Sequence, residues 1–193
     1  QVTKRNKDLV NLNLSLELKV NERTKELSEA NRHLELLALT DTLTSLSNRR
    51  HAMIMLEKQF NFAKQNKTSL TCLMIDADNF KEVNDTHGHD AGDKVLCLLS
   101  SILTDSFRTD DNICRLGGDE FLVICPKTNI DGAVNIAEKV RRNINNLNLD
   151  IWNSSISVGV ASITPETTEF MELIKNADKA LYKSKENGKN CVQ

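Results

Sequence analysis

Residues 112–125 read NICRLGGDEFLVIC, which is two short apolar segments separated by a pair of glycines and two acids. Short segments rich in apolar and β-branched residues favour strands, and we predict strands over 112–116 and 120–125. The dipeptide Gly117-Gly118 predicts a two-residue hairpin turn, because glycine adopts the positive φ angles of such turns without steric cost. The hairpin would carry Asp119 and Glu120 at its tip.

A second pair of acids follows another apolar segment. Residues 69–75 predict a buried strand, and Asp76-Ala77-Asp78 comes directly after it. Asp76 and Asp78 would share one face if the strand continued. Carboxylates at a strand end beside a hairpin tip offer the hard oxygen ligands that Mg²⁺ prefers. Solvated loop acids are the alternative, since acids are common at turns, and the residue pattern alone leaves both interpretations open.

Helical patterns fill most of the remaining sequence. The positions of apolar residues predict helices over 48–65, 90–107, 130–147 and 168–186, a helical turn opening at 79–81, a strand over 154–162 and a C-cap at Gly188. This order, α-β-α-α-β-β-α-β-α, predicts an α+β fold. Its sheet would be of the split βαβ, ferredoxin-like kind, with helices packed on it.

The first 40 residues contain neither glycine nor proline and have a different pattern. Apolar residues recur at multiples of seven in two series offset by four, and polar residues interrupt the seam at Asn13 and Arg23. The series are Leu9, Leu16, Ala30 and Leu37, and Val20, Leu27 and Leu34. They predict a parallel coiled coil of about four heptads, although a single amphipathic helix on its own domain is the alternative. We predict two regions, a coiled-coil helix over 1–40 and a globular domain over 41–193.

Composition limits the classes of function. The net charge of −2 provides no bulk attraction to nucleic acid, so we expect no nucleic-acid partner. The five cysteines include no CxxC pair, which favours buried thiols in a reducing cytoplasm over a zinc site. The chain starts at Gln1 without a signal peptide. We therefore expect a cytoplasmic, C-terminal part of a longer bacterial protein, with a sensor domain upstream and possible membrane anchoring there.

Four blocks resemble, in order, the motifs of the GGDEF family. Residues 115–121 are similar to its signature, 41–50 to its opening motif DxLTGLPNRR, 76–93 to its nucleotide-binding stretch and 177–190 to its closing motif. The resemblance covers residues 41–191. The sequence departs from the family pattern at Ser45 and Ser47, where Gly and Pro are usual, and at Lys189, where Arg is usual.

The resemblance implies a fold like the polymerase palm and the activity of a diguanylate cyclase, which condenses two GTP into cyclic di-GMP with Mg²⁺ or Mn²⁺. It implies that Asp76, the Ala77 carbonyl and Asp119 hold the metal, with Glu120 beside them. Gly117 and Gly118 would let substrate approach the backbone. Lys81, Lys185 and Lys189 would contact phosphates next to Phe80, and Asn84 and Asp93 would read guanine.

The resemblance also implies regulation. Arg108-Thr109-Asp110-Asp111 has the RxxD form and the offset from Gly117 of the family's product-inhibition site, where cyclic di-GMP binds. Arg141 is a weak candidate for a further contact. Activity would require a homodimer, joined through the N-terminal helix. Three alternatives remain open: a cyclic di-GMP receptor without catalysis, a cyclase for other nucleotides, and a dimerisation scaffold.

Overall fold

The computed structural model describes residues 16–29, 38–147 and 149–193. They divide into two units between Ala38 and Leu39. In the first, residues 16–29 form a helix, α1, on which three predicted seam residues, Leu16, Val20 and Leu27, are exposed. Arg23, which interrupts the seam, is also exposed. The remaining seam residues, Leu9, Asn13, Ala30, Leu34 and Leu37, lie outside the described residues. The predicted helix is confirmed here, and the coiled coil stays a prediction.

The second unit alternates strands and helices. Its elements are β1 (Ser47–Asn48), α2 (Arg49–Asn66), β2 (Leu70–Ala77), α3 (Phe80–His87), α4 (His89–Ser106), β3 (Asn112–Gly117), β4 (Glu120–Pro126), α5 (Ile130–Asn145), β5 (Ile156–Ser162) and α6 (Phe170–Glu186). The sheet has the order β1-β3-β4-β2-β5, in which β1 is parallel to β3 and all other neighbours are antiparallel. Strands β2 and β3, joined by the α3–α4 crossover, flank β4. This is a split βαβ arrangement, so the α+β prediction is confirmed.

Helices cover both faces of the sheet. Helices α2 and α6 pack on one face, and α4 and α5 pack on the other. Strand β2 is buried along its whole length, as its apolar sequence predicts. Helix α6 approaches β5 so closely that a Cβ on Gly159 would lie 2.1 Å from the carbonyl oxygen of Ala177. This packing brings the last turn of α6, with Lys185, beside the end of β2.

The hairpin differs by one residue from the prediction. Gly117 pairs with Glu120, so Gly118 and Asp119 form the turn, and the predicted turn Gly117-Gly118 is wrong. The cause is a register shift between Arg115 and Gly117, because a bulge adds one residue to β3 before the turn. Gly117 and Gly118 have φ angles of 144° and 55°, a region that disfavours larger side chains.

Element ends also differ from the prediction by a few residues. Strand β1, helix α3 beyond its first turn and the separate start of α4 at His89 were not predicted. Asn187 is the C-cap of α6, and Gly188 follows it with a φ angle of 100°. Over the described ranges, no helix is both long and apolar enough to span a bilayer.

Candidate active site

The end of β2 meets the tip of the β3–β4 hairpin. Asp76 lies directly opposite Glu120 in the antiparallel pairing, so the two side chains share one face with their Cβ atoms about 5 Å apart. The backbone N–H of Ala77 donates to the carbonyl oxygen of Asp119 at 3.3 Å. The three residues to which the resemblance assigns the metal, and Glu120 beside them, therefore lie together, although their roles remain predictions.

The Asp76 carboxylate is buried in an environment with too little positive charge. Burial raises its pKa to about 6, the neighbouring carboxylates of Asp119 and Asp78 contribute to the rise, and Lys185 opposes it. The Lys185 ammonium lies 2.7 Å from Asp76. Burial acts to lower the pKa of Lys185, but Asp76, Asp119 and Glu120 raise it on balance. A second cation would therefore be favourable at this point.

The donor set at this point fits a hard divalent cation. Carboxylates and a backbone carbonyl are the ligands of Mg²⁺, which also retains waters and substrate phosphate oxygens. Among the described residues, no three acidic, histidine or cysteine side chains come close enough to hold a metal by themselves. The protein thus offers an incomplete ligand set, which suits a metal shared with a substrate.

An open cleft of about 560 Å³ adjoins the acidic site. Several predicted site residues line it, together with Asp78, Asn79, Glu82 and Asp85: Asp76, Ala77, Phe80, Lys81, Asp119, Lys185 and Lys189. The Lys189 ammonium donates to Asn79 Oδ1 at 2.6 Å. Three lysines beside buried acids make the cleft suitable for a triphosphate with its metal.

Asn84 and Asp93, the predicted base-reading pair, do not line this cleft. Asn84 lies on α3 and is half-buried, whereas Asp93 is exposed near the start of α4. The two helices pack against each other. Phe80, which lines the cleft, opens the same helix as Asn84.

Strand β2 ends at Ala77, so Asp78 lies just beyond it. Its side chain is buried and accepts hydrogen bonds from Ser155 Oγ at 2.9 Å, Ser157 Oγ at 2.7 Å and the Asn190 backbone N–H at 3.0 Å. The indole N–H of Trp152 donates to the Asp78 carbonyl oxygen at 2.9 Å. Asp78 thus joins β2, β5 and the C-terminal turn.

Sequence reasoning assigned no role to Arg115. Its Nε and Nη2 donate to the Gly118 carbonyl oxygen at 3.0 and 2.8 Å, and its Nη1 reaches Asp41 at 3.0 Å. Burial raises the pKa of Asp41, but hydrogen bonds from Thr44 and Arg115 outweigh this and hold that pKa below its usual value. Arg115 therefore fixes the glycine turn to the start of the domain. The opposite charges of Asp41 and Arg115 were the available signal, but their contact depends on the fold.

Arg108 and Asp111 lie together in the loop between α4 and β3. The Arg108 backbone N–H donates to Asp111 Oδ2, and the Asp111 N–H donates to the Arg108 carbonyl oxygen, both at 3.0 Å. Burial raises the pKa of Asp111. Arg141, the candidate for a further contact, donates to Glu138 and, at 2.9 Å, to Asn190 Oδ1, and its role stays a prediction.

Comparisons with known proteins agree with this arrangement. The probable diguanylate cyclase DgcC of Escherichia coli is 39% identical over 171 residues, which cover 87% of this chain and 46% of DgcC. The response regulator PleD of Caulobacter vibrioides is 38% identical over 81% of this chain and 36% of PleD. This chain therefore spans less than half of either relative.

A solved structure extends the similarity to the N-terminal helix region. The coiled coil and GGDEF domain of DgcB from Caulobacter crescentus, in complex with c-di-GMP, superposes with a TM-score of 0.82 at 29% identity. The alignment covers 93% of this chain and 98% of that structure. Residues 38–191 match the family described as diguanylate cyclase, GGDEF domain. On the sequence blocks, the sheet and this match, the chain belongs to the GGDEF-domain family of diguanylate cyclases.

Proposed function

We propose that this chain is a magnesium-dependent diguanylate cyclase that joins two GTP molecules into cyclic di-GMP. The observation that carries the proposal is that Asp76 and Asp119 line a cleft together with three lysines, and that Glu120 lies opposite Asp76 in the strand pairing. The names of relatives at 39% and 36% identity support it, since they are called a probable diguanylate cyclase and a diguanylate cyclase. A buried acid whose pKa is raised, and which lies in a cleft, is also a common sign of a functional site.

The proposed reaction is a double nucleotidyl transfer. The ribose 3′-oxygen of one GTP attacks the α-phosphorus of the other, the bond to pyrophosphate breaks, and the hydroxyl proton passes to a carboxylate at the hairpin tip. Repetition in the opposite direction closes the ring and releases a second pyrophosphate. Asp76, the Ala77 carbonyl, Asp119 and Glu120 would hold the metal. When bound there, Mg²⁺ or Mn²⁺ would lower the pKa of the attacking hydroxyl and offset phosphate charge.

The remaining site residues would bind and orient GTP. Lys81, Lys185 and Lys189 would balance the triphosphate charge, and the open backbone at Gly117 and Gly118 would admit the substrate beside the acids. Asn84 and Asp93 would read guanine, because an ionised carboxylate only accepts hydrogen bonds and guanine presents N1–H and an amine as donors.

The direct test is product analysis with purified protein. With Mg²⁺ and GTP we expect cyclic di-GMP and two equivalents of pyrophosphate. We expect neither product when ATP replaces GTP or when excess chelator is present. Mass spectrometry of the nucleotide products separates the alternatives. Tight binding of cyclic di-GMP without synthesis would favour a receptor, and cyclic products from ATP would favour another cyclase.

We further propose that the enzyme acts as a homodimer joined through the N-terminal helix. Each domain would present one GTP, so two domains facing each other across a twofold axis could make a symmetric product. Leu16, Val20 and Leu27 are spaced to lie along one side of α1 and are exposed there. Exposed apolar residues at this spacing are expected of a helix that pairs with a second helix in a coiled coil. A coiled coil would raise the local concentration of the second domain to roughly millimolar.

The helix proposal can be tested with substitutions on and off the seam. Val20→Asp with Leu27→Asp should give a monomeric mass by light scattering and a large loss of activity that shrinks at high protein concentration. Leu18→Asp is the matched control, because Leu18 is 71% exposed and lies off the seam. Full activity of a monomeric double variant at low concentration would rule out this proposal.

We also propose that cyclic di-GMP inhibits the enzyme at Arg108 and Asp111. Arg108 would offer a planar guanidinium to guanine or phosphate, and Asp111 would accept from guanine N–H groups. Arg108→Ala should preserve the initial rate and extend product formation at long times. The exposed Arg142→Ala serves as the control, and equal sensitivity of all three proteins to added cyclic di-GMP would contradict the assignment.

A further inference from the structure

Helices α3 and α4 meet at a glycine for which the proposed reaction gives no reason. Gly92 lies in the first turns of α4, is buried, and has no positive φ angle that would require glycine. A Cβ placed on it would lie 2.0 Å from Asn84 Oδ1, 3.0 Å from Asn84 Cγ and 3.0 Å from Phe80 Cζ. The space that glycine leaves is therefore filled by the Asn84 amide.

Packing, and not hydrogen bonding, holds the Asn84 side chain. Over the residues that the structure describes, the Asn84 amide has no hydrogen-bond partner in the protein, whereas the Asn84 backbone carbonyl accepts from the Gly88 N–H at 2.9 Å. The side chain is half-buried against Gly92. Its amide thus has its bonding capacity available, and contact with Gly92 limits where it can lie.

We propose that Gly92 is a positioning residue for guanine recognition, because its missing side chain gives Asn84 the one place from which it can read the base. This inference rests on the proposed use of GTP and adds a residue that touches no substrate. Asp93, the other proposed base-reading residue, directly follows Gly92, so the same turn of α4 would set both contacts. A methyl group at position 92 would displace the Asn84 oxygen by more than 1 Å to reach ordinary contact at about 3.4 Å.

The fold can tolerate that methyl group better than base recognition can. The closest atom is the free end of a flexible side chain, which can rotate away, and alanine favours helices more than glycine does. The displaced amide would then miss its donor on guanine. Since the lost hydrogen bond is one of few contacts that read the base, the dissociation constant for GTP should rise about tenfold, which is about 1.4 kcal/mol.

The test is a double-mutant cycle on nucleotide affinity, measured by calorimetry with Ca²⁺ to prevent turnover. Gly92→Ala should weaken GTP binding about tenfold, and the same change in an Asn84→Ala background should add less than twofold. Inorganic triphosphate should bind all variants equally, because the cleft lysines are untouched. Gly132→Ala is the matched control, since its Cβ would meet Asn129 Oδ1 at 3.0 Å in the first turn of α5.

Each outcome decides the proposal. Unchanged GTP affinity in Gly92→Ala overturns it, and so does an equal loss with and without the Asn84 side chain. If Gly92→Ala folds poorly, adding Asn84→Ala should recover most of the lost melting temperature, because it removes the two Asn84 atoms, including the closest one at 2.0 Å, and leaves only Phe80 Cζ at 3.0 Å. No recovery of the melting temperature would also overturn the proposal. Absence of cyclic di-GMP synthesis by the wild type would instead refute the proposed function, and the binding cycle would still be measurable.

Discussion

Asp76 and Asp78 are two residues apart, yet they lie in opposite chemical environments. Asp76 faces the cleft with one lysine as its partner and acids as its other neighbours, and its pKa rises to about 6. Asp78 lies in a polar pocket, formed by Ser155, Ser157 and Asn190, that supplies three hydrogen-bond donors to its carboxylate. The cleft and the Asp78 pocket are therefore adjacent but differ in how completely each carboxylate is satisfied.

This difference separates an acid that costs folding energy from one that supports the fold. A buried carboxylate with few donors destabilises the native state, and proteins retain such groups where chemistry needs them. A carboxylate whose oxygens all accept hydrogen bonds stabilises the elements that bring the donors. Substitution at the two positions should consequently affect different properties, activity at one and stability at the other.

The largest effect should come from Asp76→Asn. We expect at least a 1000-fold fall in cyclic di-GMP formation, roughly 4 kcal/mol of transition-state stabilisation, because an amide holds a divalent cation poorly. Initial rates measured by chromatography at saturating GTP and Mg²⁺ provide the check. Asp105→Asn, on the exposed surface of α4, is the control and should match the wild type. Normal product formation by Asp76→Asn would remove Asp76 from the metal site.

Asp78→Ala should reverse this pattern by lowering the stability of the fold. It leaves two hydroxyls and a backbone N–H without an acceptor, so the free energy of unfolding should fall by about 3 kcal/mol. Urea denaturation of metal-free protein measures this change. Ser155→Ala removes only one donor and should cost about 1 kcal/mol. A wild-type unfolding midpoint for Asp78→Ala would show that the polar pocket contributes nothing to stability.

Much of the fold and part of the site follow from local sequence. The apolar segment before Asp76 predicts a buried strand from its own residues, without knowledge of its neighbours in the sheet. The motif blocks identify the acids at the end of that strand. The separate roles of Asp76 and Asp78 do not follow, because they depend on which donors the fold brings to each carboxylate. Only the pairing of β2 with β5 places Ser157 opposite Asp76 and brings the donors to Asp78.

Long-range contacts account for the other differences. The Arg115–Asp41 ion pair joins residues 74 positions apart, and nothing near either residue in the sequence indicates the contact. The bulge before Gly117 could not be predicted from nearby sequence either, because it appears as a register shift in the pairing with β4. Gly92 shows a third case, in which the reason for a residue is the side chain of a neighbouring helix.

The dependence of stability on pH should reveal the unfavourable environment of Asp76. The raised pKa of Asp76 means that the folded chain binds its proton more tightly than the unfolded chain, whose aspartates titrate near 4. The destabilisation from ionised Asp76 is therefore absent below about pH 4 and complete above about pH 6. With chelator present, the unfolding free energy of the wild type relative to Asp76→Asn should fall by about 2 kcal/mol from pH 4 to pH 7. A difference that stays flat or rises with pH would contradict this account.

The smallest effect should come from Lys189, which connects the two regions. Its ammonium reaches Asn79 at the cleft, and the next residue, Asn190, donates its N–H to Asp78. Lys189→Ala should raise the KM for GTP about fivefold to tenfold and leave kcat unchanged, because only a phosphate contact is lost. Lys189→Arg should lower KM, since a guanidinium can bind phosphate through two N–H groups. The exposed Lys183→Ala controls for net charge. An unchanged KM in Lys189→Ala would show that Lys189 does not contact a phosphate. The hydrogen bond from Asn190 to Asp78 would then serve only to stabilise the fold.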